Sequence, residues 1–144
     1  MQTGEAIQKG LGKEVPVFSS SLLGDPDFII SNPQVAQDSF QHYSLVELIQ
    51  ALLVEKTLAG FYPPRLGCSF LLKKMMSNQA SNPIWISHDL FICLLTCHLF
   101  HILPSNALMP RFLEGLVFSF EEGYFFAYVR GLRTKIEVDA WSGM

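Results

Sequence analysis

Charged side chains are scarce in this chain of 144 residues, at 16 percent, while hydrophobic residues make up 49 percent. The chain is therefore more apolar and less charged than an average soluble domain. Its Lys and Arg number 10 against 13 Asp and Glu, which gives a net charge of −3. Nucleic-acid binding is driven mainly by basic side chains that neutralise phosphates. Bulk electrostatics gives no argument for such binding, so any RNA contact has to be local.

Motifs for catalysis, cofactors and secretion are also missing. The three cysteines form an odd set without framework spacing, which indicates a reduced intracellular compartment. The first 13 residues are polar and lack the apolar core of a signal peptide. Gly10-Leu11-Gly12 lacks the third glycine and the preceding strand of a dinucleotide site. With no serine nucleophile motif either, we expect no catalytic residues and no cofactor.

Between Met75 and Pro110 the only charged residue is Asp89. The apolar segment from Ile84 to Leu103 is 20 residues long, about the thickness of a bilayer core. Eleven of its residues are Leu, Ile, Phe or Val, but Asp89 and three histidines oppose insertion. Its polar residues scatter around the helix, which suits a buried helix about as well as a membrane span. A membrane helix at 84–103 is therefore kept as an alternative.

Cys93, Cys97, His98 and His101 have spacings that suggest metal ligands on one helix. From Cys93 to His101 the helix would rise about 12 Å, so at most two of them could bind one ion. We therefore expect no metal site, and buried cysteines with hydrogen-bonded histidines instead. His88-Asp89 is a poor base and carboxylate pair, because adjacent helical residues point about 100° apart.

Capping signals and apolar periodicity predict a mainly α fold with a few short strands, an α+β class. Residues 1–34 are expected to be an irregular N-terminal segment with short extended pieces at Val15 to Phe18 and Phe28 to Ile30, followed by a helical region over 35–144. Asn32-Pro33 and Ser44 with Glu47 are typical helix starts. The predicted helices lie near 33–41, 45–59, 66–77, 83–103 and 119–132. A strand is possible at 135–138.

The helix at 119–132 is predicted from a capping box of Ser119 with Glu122 and an aromatic stripe at helical spacing. The alternative is a β-hairpin with strands at 116–120 and 124–129 around Glu-Glu-Gly. Beyond it, Arg130, Arg133 and Lys135 form a basic cluster. A solvated helix end is the favoured interpretation of this cluster, and a phosphate or acidic partner is the other.

Four segments resemble a known family. Phe118 to Tyr128 resembles the run Leu-Ser-Leu-Glu-Glu-Ala-Phe-Phe-Leu-x-Tyr in the catalytic subunit of eukaryotic tRNA-splicing endonuclease that cleaves the 5′ splice site. Ile136 to Trp141 is similar to an acidic and apolar stretch that follows in that subunit. Lys9 to Lys13 and Pro26 to Val35 resemble its early Gly-Lys turn and its Phe-x-Ile-Ser-Asp-Pro run. The order along the chain agrees, and about 50 of the 144 residues are covered.

The resemblance implies a nuclear subunit of a complex that removes introns from precursor tRNA. The family's catalytic Tyr, His and Lys lie after the stretch that Ile136 to Trp141 resembles. They have no counterpart before Met144. We therefore expect a non-catalytic, truncated or divergent subunit that binds other endonuclease subunits and contributes to precursor-tRNA docking. The membrane protein described above and a soluble protein-interaction module with an exposed aromatic face are the alternatives.

Overall fold

The computed structural model describes residues 2–12, 16–18, 23, 28–54, 58–77, 83–111 and 114–136. These residues form an α+β fold, which confirms the predicted class. The five helices are α1 (Gln2–Leu11), α2 (Pro33–His42), α3 (Leu45–Leu53), α4 (Pro64–Met76) and α5 (Asp89–Phe100). A 3₁₀ turn follows at Asn106–Leu108. The strands β1 (Val117–Glu121), β2 (Tyr124–Val129) and β3 (Leu132–Ile136) pair in that order as an antiparallel sheet.

Helices α2 and α3 begin where their sequence signals predict. The Asn32 side chain accepts a hydrogen bond from the Val35 amide, and Pro33 occupies the first turn of α2. At α3 the Ser44 hydroxyl accepts from the Glu47 amide, while the Glu47 carboxylate accepts from the Ser44 amide. This capping box satisfies two amides that the first turn would otherwise leave unpaired.

The prediction for α3 was too long, since the helix ends at Leu53 and not near residue 59. Gly60 lies seven residues beyond this end and has another role. With φ of +85°, Gly60 lies against the start of α2, where its carbonyl accepts from the amides of Ser31 and Asn32. Beside it, Ile30 and Phe61 form an isolated antiparallel bridge. The predicted extended piece at Phe28 to Ile30 is therefore wrong for Phe28 and Ile29, which lie in a turn, and Ile30 pairs at a single residue.

The N-terminal segment was predicted to be irregular, and this is wrong for Gln2–Leu11, which forms α1. Glu5 in its first turn and Lys9 in its last turn complement the helix dipole. Residues 16–18 are not a strand, and Val15 lies outside the described residues.

Helix α5 is shorter than the predicted helix at 83–103. Residues 83–88 are not helical, and the Ser87 hydroxyl in this stretch donates to the carbonyl of Leu23. At the other end His101 has φ of +52°, and its amide donates to the Cys97 carbonyl. The 12 residues of α5 span about 18 Å. In the part of the chain that the structure describes, no helix has both the length and the apolar character needed to cross a membrane.

Helix α5 lies at the centre of the core and packs against α3, α4 and β3. Eight of its residues are buried, including Leu94, Cys93 and Cys97. The same core contains Phe28, Ile29 and Ile30 from the N-terminal part of the chain and Ala127 and Ile136 from the sheet. Residues on both sides of position 34 thus share one core.

The predicted helix at 119–132 is wrong, and the alternative hairpin is confirmed. Glu122-Gly123 and Arg130-Gly131 each join two strands, and all four residues have positive φ. Two-residue loops of this kind match the right-handed twist of the flanking strands, and a glycine in the second position is favourable. The last predicted strand is confirmed for Lys135 and Ile136, which belong to β3, while 137–138 lie outside the described residues.

Candidate functional site

The two faces of the sheet differ in chemistry because successive side chains in a strand point to opposite sides. Phe118, Phe125, Ala127 and Ile136 occupy the inner face and join the core, with the rings of Phe118 and Phe125 stacked 5.5 Å apart. We call the opposite side the outer face. It carries the side chains of Val117, Ser119, Glu121, Tyr124, Phe126, Tyr128, Arg133 and Lys135.

An aromatic stripe runs along the central strand of the outer face. Tyr124, Phe126 and Tyr128 occupy alternate positions of β2, so their rings follow one another on the same side. The strand register places Phe126 between Ser119 of β1 and Lys135 of β3. Half of the Tyr124 side chain is exposed. The stripe thus places three aromatic side chains in a row on the outer face, with Tyr124 the most exposed of them.

Two cations of β3 lie over this stripe. The guanidinium carbon of Arg133 is 3.9 Å from the centroid of the Phe126 ring and 5.6 Å from that of Tyr128. The ammonium nitrogen of Lys135 is 3.3 Å from the Tyr124 centroid. These distances are those of cation–π contacts, which attract a positive group to the face of an aromatic ring.

Glu121 links all three strands on the outer face. One of its carboxylate oxygens accepts hydrogen bonds from the Ser119 hydroxyl and the Tyr128 hydroxyl, each at 2.5 Å. Its other oxygen accepts from Nη2 of Arg133 at 2.9 Å. The two hydroxyl donors and the charge of Arg133 lower the pKa of Glu121. The carboxylate is therefore fixed in its ionised form beside the aromatic stripe.

Arg130 was grouped with Arg133 and Lys135 in the sequence, but it lies elsewhere. It occupies the turn between β2 and β3 and forms a salt bridge of 2.5 Å with Glu114. Its guanidinium also donates to the carbonyls of Ala107 and Met109. Arg130 therefore holds the segment before β1 against the hairpin. Hydrogen bonds from Arg130 and from the Arg111 amide lower the pKa of Glu114 to about 2.

The three cysteines lie in the core, whereas His101 is exposed at the end of α5. Cys68 lies in α4, and Cys93 and Cys97 lie in α5, all of them buried as free thiols. Burial raises the pKa of Cys68 to about 12. His98 is half-buried, and desolvation together with the charges of His101 and Arg65 lowers its pKa. Within the described ranges, no three His, Cys, Asp or Glu side chains meet in a way that could hold a metal ion.

The adjacent residues His88 and Asp89 make different contacts. Asp89 uses Oδ1 to accept from the Leu90 amide at the start of α5. The ring of His88 instead faces Phe91 edge-on, with centroids 6.2 Å apart.

Sequence reasoning missed the outer face because it placed its residues on a helix. A helix would separate Tyr124 from Phe126 by about 200°, whereas a strand aligns them. The signal that could have found the face is the repeated two-residue loop, Glu122-Gly123 and then Arg130-Gly131, with strand-like runs between and after them.

Comparisons with known proteins do not assign this site. No model of a protein family, no curated protein and no solved structure matches the chain. The chemistry of the outer face therefore has to be argued from its own residues.

Proposed function

We propose that this chain is a non-catalytic RNA-contacting subunit that binds unpaired RNA on the outer face of its sheet. The observation that carries the proposal is the stripe of Tyr124, Phe126 and Tyr128 beneath the cations Arg133 and Lys135. Proteins bind single-stranded nucleic acid by stacking bases on aromatic side chains and placing basic groups along the backbone. Such a local site is compatible with a net charge of −3.

The sequence resemblance supports the same ligand class. From this resemblance we propose that the RNA is precursor tRNA and that the partners are other tRNA-splicing endonuclease subunits. The location that we propose is the nucleus. Its main segment, Phe118 to Tyr128, was expected to be helical and is a hairpin instead. The resemblance therefore has no support from conformation and contributes only through residue identity and order.

The test is binding of the purified full chain to a fluorescent 12-nucleotide RNA, measured by anisotropy in low salt. We expect saturable binding to the single strand and weaker binding to a duplex of the same sequence, because only unpaired bases expose their rings for stacking. If Arg133 and Lys135 each contact one phosphate, the logarithm of the binding constant should fall with the logarithm of the salt concentration at a slope of about −1.4.

Tyr124→Ala supplies the site-specific arm of this test. Stacking contributes about 1–3 kcal/mol per base, so this variant should weaken binding roughly fivefold or more. Tyr62→Ala is the matched control, because Tyr62 is also an exposed tyrosine but precedes α4 and lies outside the sheet. Equal losses in the two variants, or no binding by the wild-type chain, would contradict an RNA site on the outer face.

A second candidate function, binding of a partner protein, is favoured by strand β1. Val117 and Phe120 are 64% and 71% exposed on this edge strand, which has Glu121 as its only charged residue. Exposed apolar edge strands are typical places for another chain to bind. Co-elution of the purified chain with purified endonuclease subunits, lost on Phe120→Asp, would support this function. Co-elution that is unchanged by Phe120→Asp would place the contact elsewhere.

A further inference from the structure

The guanidinium of Arg133 lies between an aromatic ring and a carboxylate. It stacks over Phe126 and donates to Glu121 from Nη2. Guanidinium groups bind carboxylates and phosphates through the same planar donor geometry. The carboxylate of Glu121 therefore occupies a position that a phosphate oxygen could take.

The carboxylate is held in this position by more than its charge. Ser119 and Tyr128 donate to its other oxygen, so neighbouring residues on β1 and β2 orient it toward β3. Among the described residues, no carboxylate lies within salt-bridge distance of Lys135. The two cations of the outer face thus differ, because Arg133 is paired with a carboxylate and Lys135 has no such pair within the part of the chain that the structure describes.

We propose that Arg133 is a phosphate-binding residue that Glu121 masks, so that RNA binds by displacing the Glu121 carboxylate from the guanidinium. This inference rests on the proposed RNA function and deepens it. Glu121 then sets the affinity of the outer face, since RNA has to displace it from Arg133, whereas Lys135 is held only by its contact with the Tyr124 ring among the described residues. Replacing the Glu121 carboxylate by a phosphate at Arg133 requires little free energy. The side chains of Arg133 and Glu121 are both about half exposed, and such ion pairs are weak.

The variant that tests masking is Glu121→Gln, which removes the charge and keeps an oxygen that can accept from Tyr128. We expect RNA affinity to rise about two- to fivefold, the range that corresponds to a surface ion pair. Glu122→Gln is the matched control, since it removes the same charge from the adjacent turn. Equal gains in both variants would show a general charge effect and would overturn the masking.

A double-mutant cycle then identifies the partner of Glu121. In the Arg133→Gln background, Glu121→Gln should give no gain, because no guanidinium is left to release. A gain of the same size with and without Arg133 would overturn the proposal. Arg133→Gln alone should weaken binding and make the salt slope shallower by about 0.7.

A measurement without RNA separates this inference from the proposed function. Phenylglyoxal modifies accessible arginines, and the modified positions can be read by peptide mass spectrometry. We expect Arg133 to react faster in Glu121→Gln than in the wild type or in Glu122→Gln. Faster reaction with no RNA binding in any variant would support masking and refute the RNA ligand. An unchanged rate at Arg133 would overturn the masking itself.

Discussion

Gly67 of α4 lies so close to Phe28 that a Cβ atom on Gly67 would stand 2.3 Å from the Phe28 carbonyl oxygen. It would also stand 2.7 Å from Cγ2 of Ile29. Both obstacles belong to the buried segment 28–30, which shares the core with α5. Close packing of this piece on α4 therefore depends on a residue without a side chain.

Gly67→Ala should destabilise the protein by about 1–3 kcal/mol, because backbone atoms have to move to admit the methyl group. Urea unfolding followed by circular dichroism measures this loss. Gly10→Ala in α1 is the control, since nothing lies within 4 Å of its Cβ position and alanine favours a helix. A Gly67→Ala protein as stable as the control would refute the close approach of α4 to residues 28–30.

Gly131→Ala should destabilise the sheet, because Gly131 has φ of +78° in the turn between β2 and β3. An L-residue in this left-handed conformation costs about 1–2 kcal/mol. The midpoint of urea unfolding should fall accordingly. Gly115→Ala is the control, because Gly115 precedes β1, has no positive φ and has nothing within 4 Å of its Cβ position. This substitution should change the free energy of unfolding by no more than about 0.5 kcal/mol. If the two variants lose the same stability, the assigned turn is wrong.

Glu114 should make the folding stability depend on pH in the acidic range. Its pKa is lowered from 4.5 to about 2 in the folded chain, so the ionised form contributes stability above its ordinary pKa. That contribution is lost as the pH falls from about 4.5 through about 2. Glu114→Gln should therefore melt below the wild type at pH 6, and the difference should close toward pH 2. Melting temperatures measured across this range by circular dichroism test the expectation.

The partner of Glu114 can be checked in the same way. Arg130→Gln should show a similar difference at pH 6, and adding Glu114→Gln to it should change little further, because the shared salt bridge is already broken. A difference between wild type and Glu114→Gln that is constant from pH 6 to pH 2 would contradict the lowered pKa.

The starts of α2 and α3 were predictable because their signals are local. Asn32-Pro33 and Ser44 with Glu47 satisfy the first amides of α2 and α3 with side chains a few residues away. The start of α5 was not predictable in this way, since His88 makes no side-chain cap and residues 83–88 bond to a distant part of the chain through Ser87. Contacts across 64 residues leave no local pattern in the sequence.

The sheet was mispredicted because Ser119 and Glu122 have the spacing of a capping box. In the folded chain the Ser119 hydroxyl donates to Glu121 instead, and Glu122 begins the turn. The basic cluster was predicted in part. Arg133 and Lys135 do share a face, since they are two residues apart in a strand, whereas Arg130 belongs to the turn and pairs with Glu114.

Both loops of the sheet contain two residues, so the loops fix the register of the strands. Side chains alternate with a period of two, and a single inserted residue in β2 would turn Ala127 toward solvent and its aromatic neighbours Phe126 and Tyr128 toward the core. Hydrophobic packing and surface recognition are thus encoded in interleaved positions of one short stretch. Variation in what this surface recognises has to arise by substitution at every second residue, because insertions and deletions there would unfold the layer beneath.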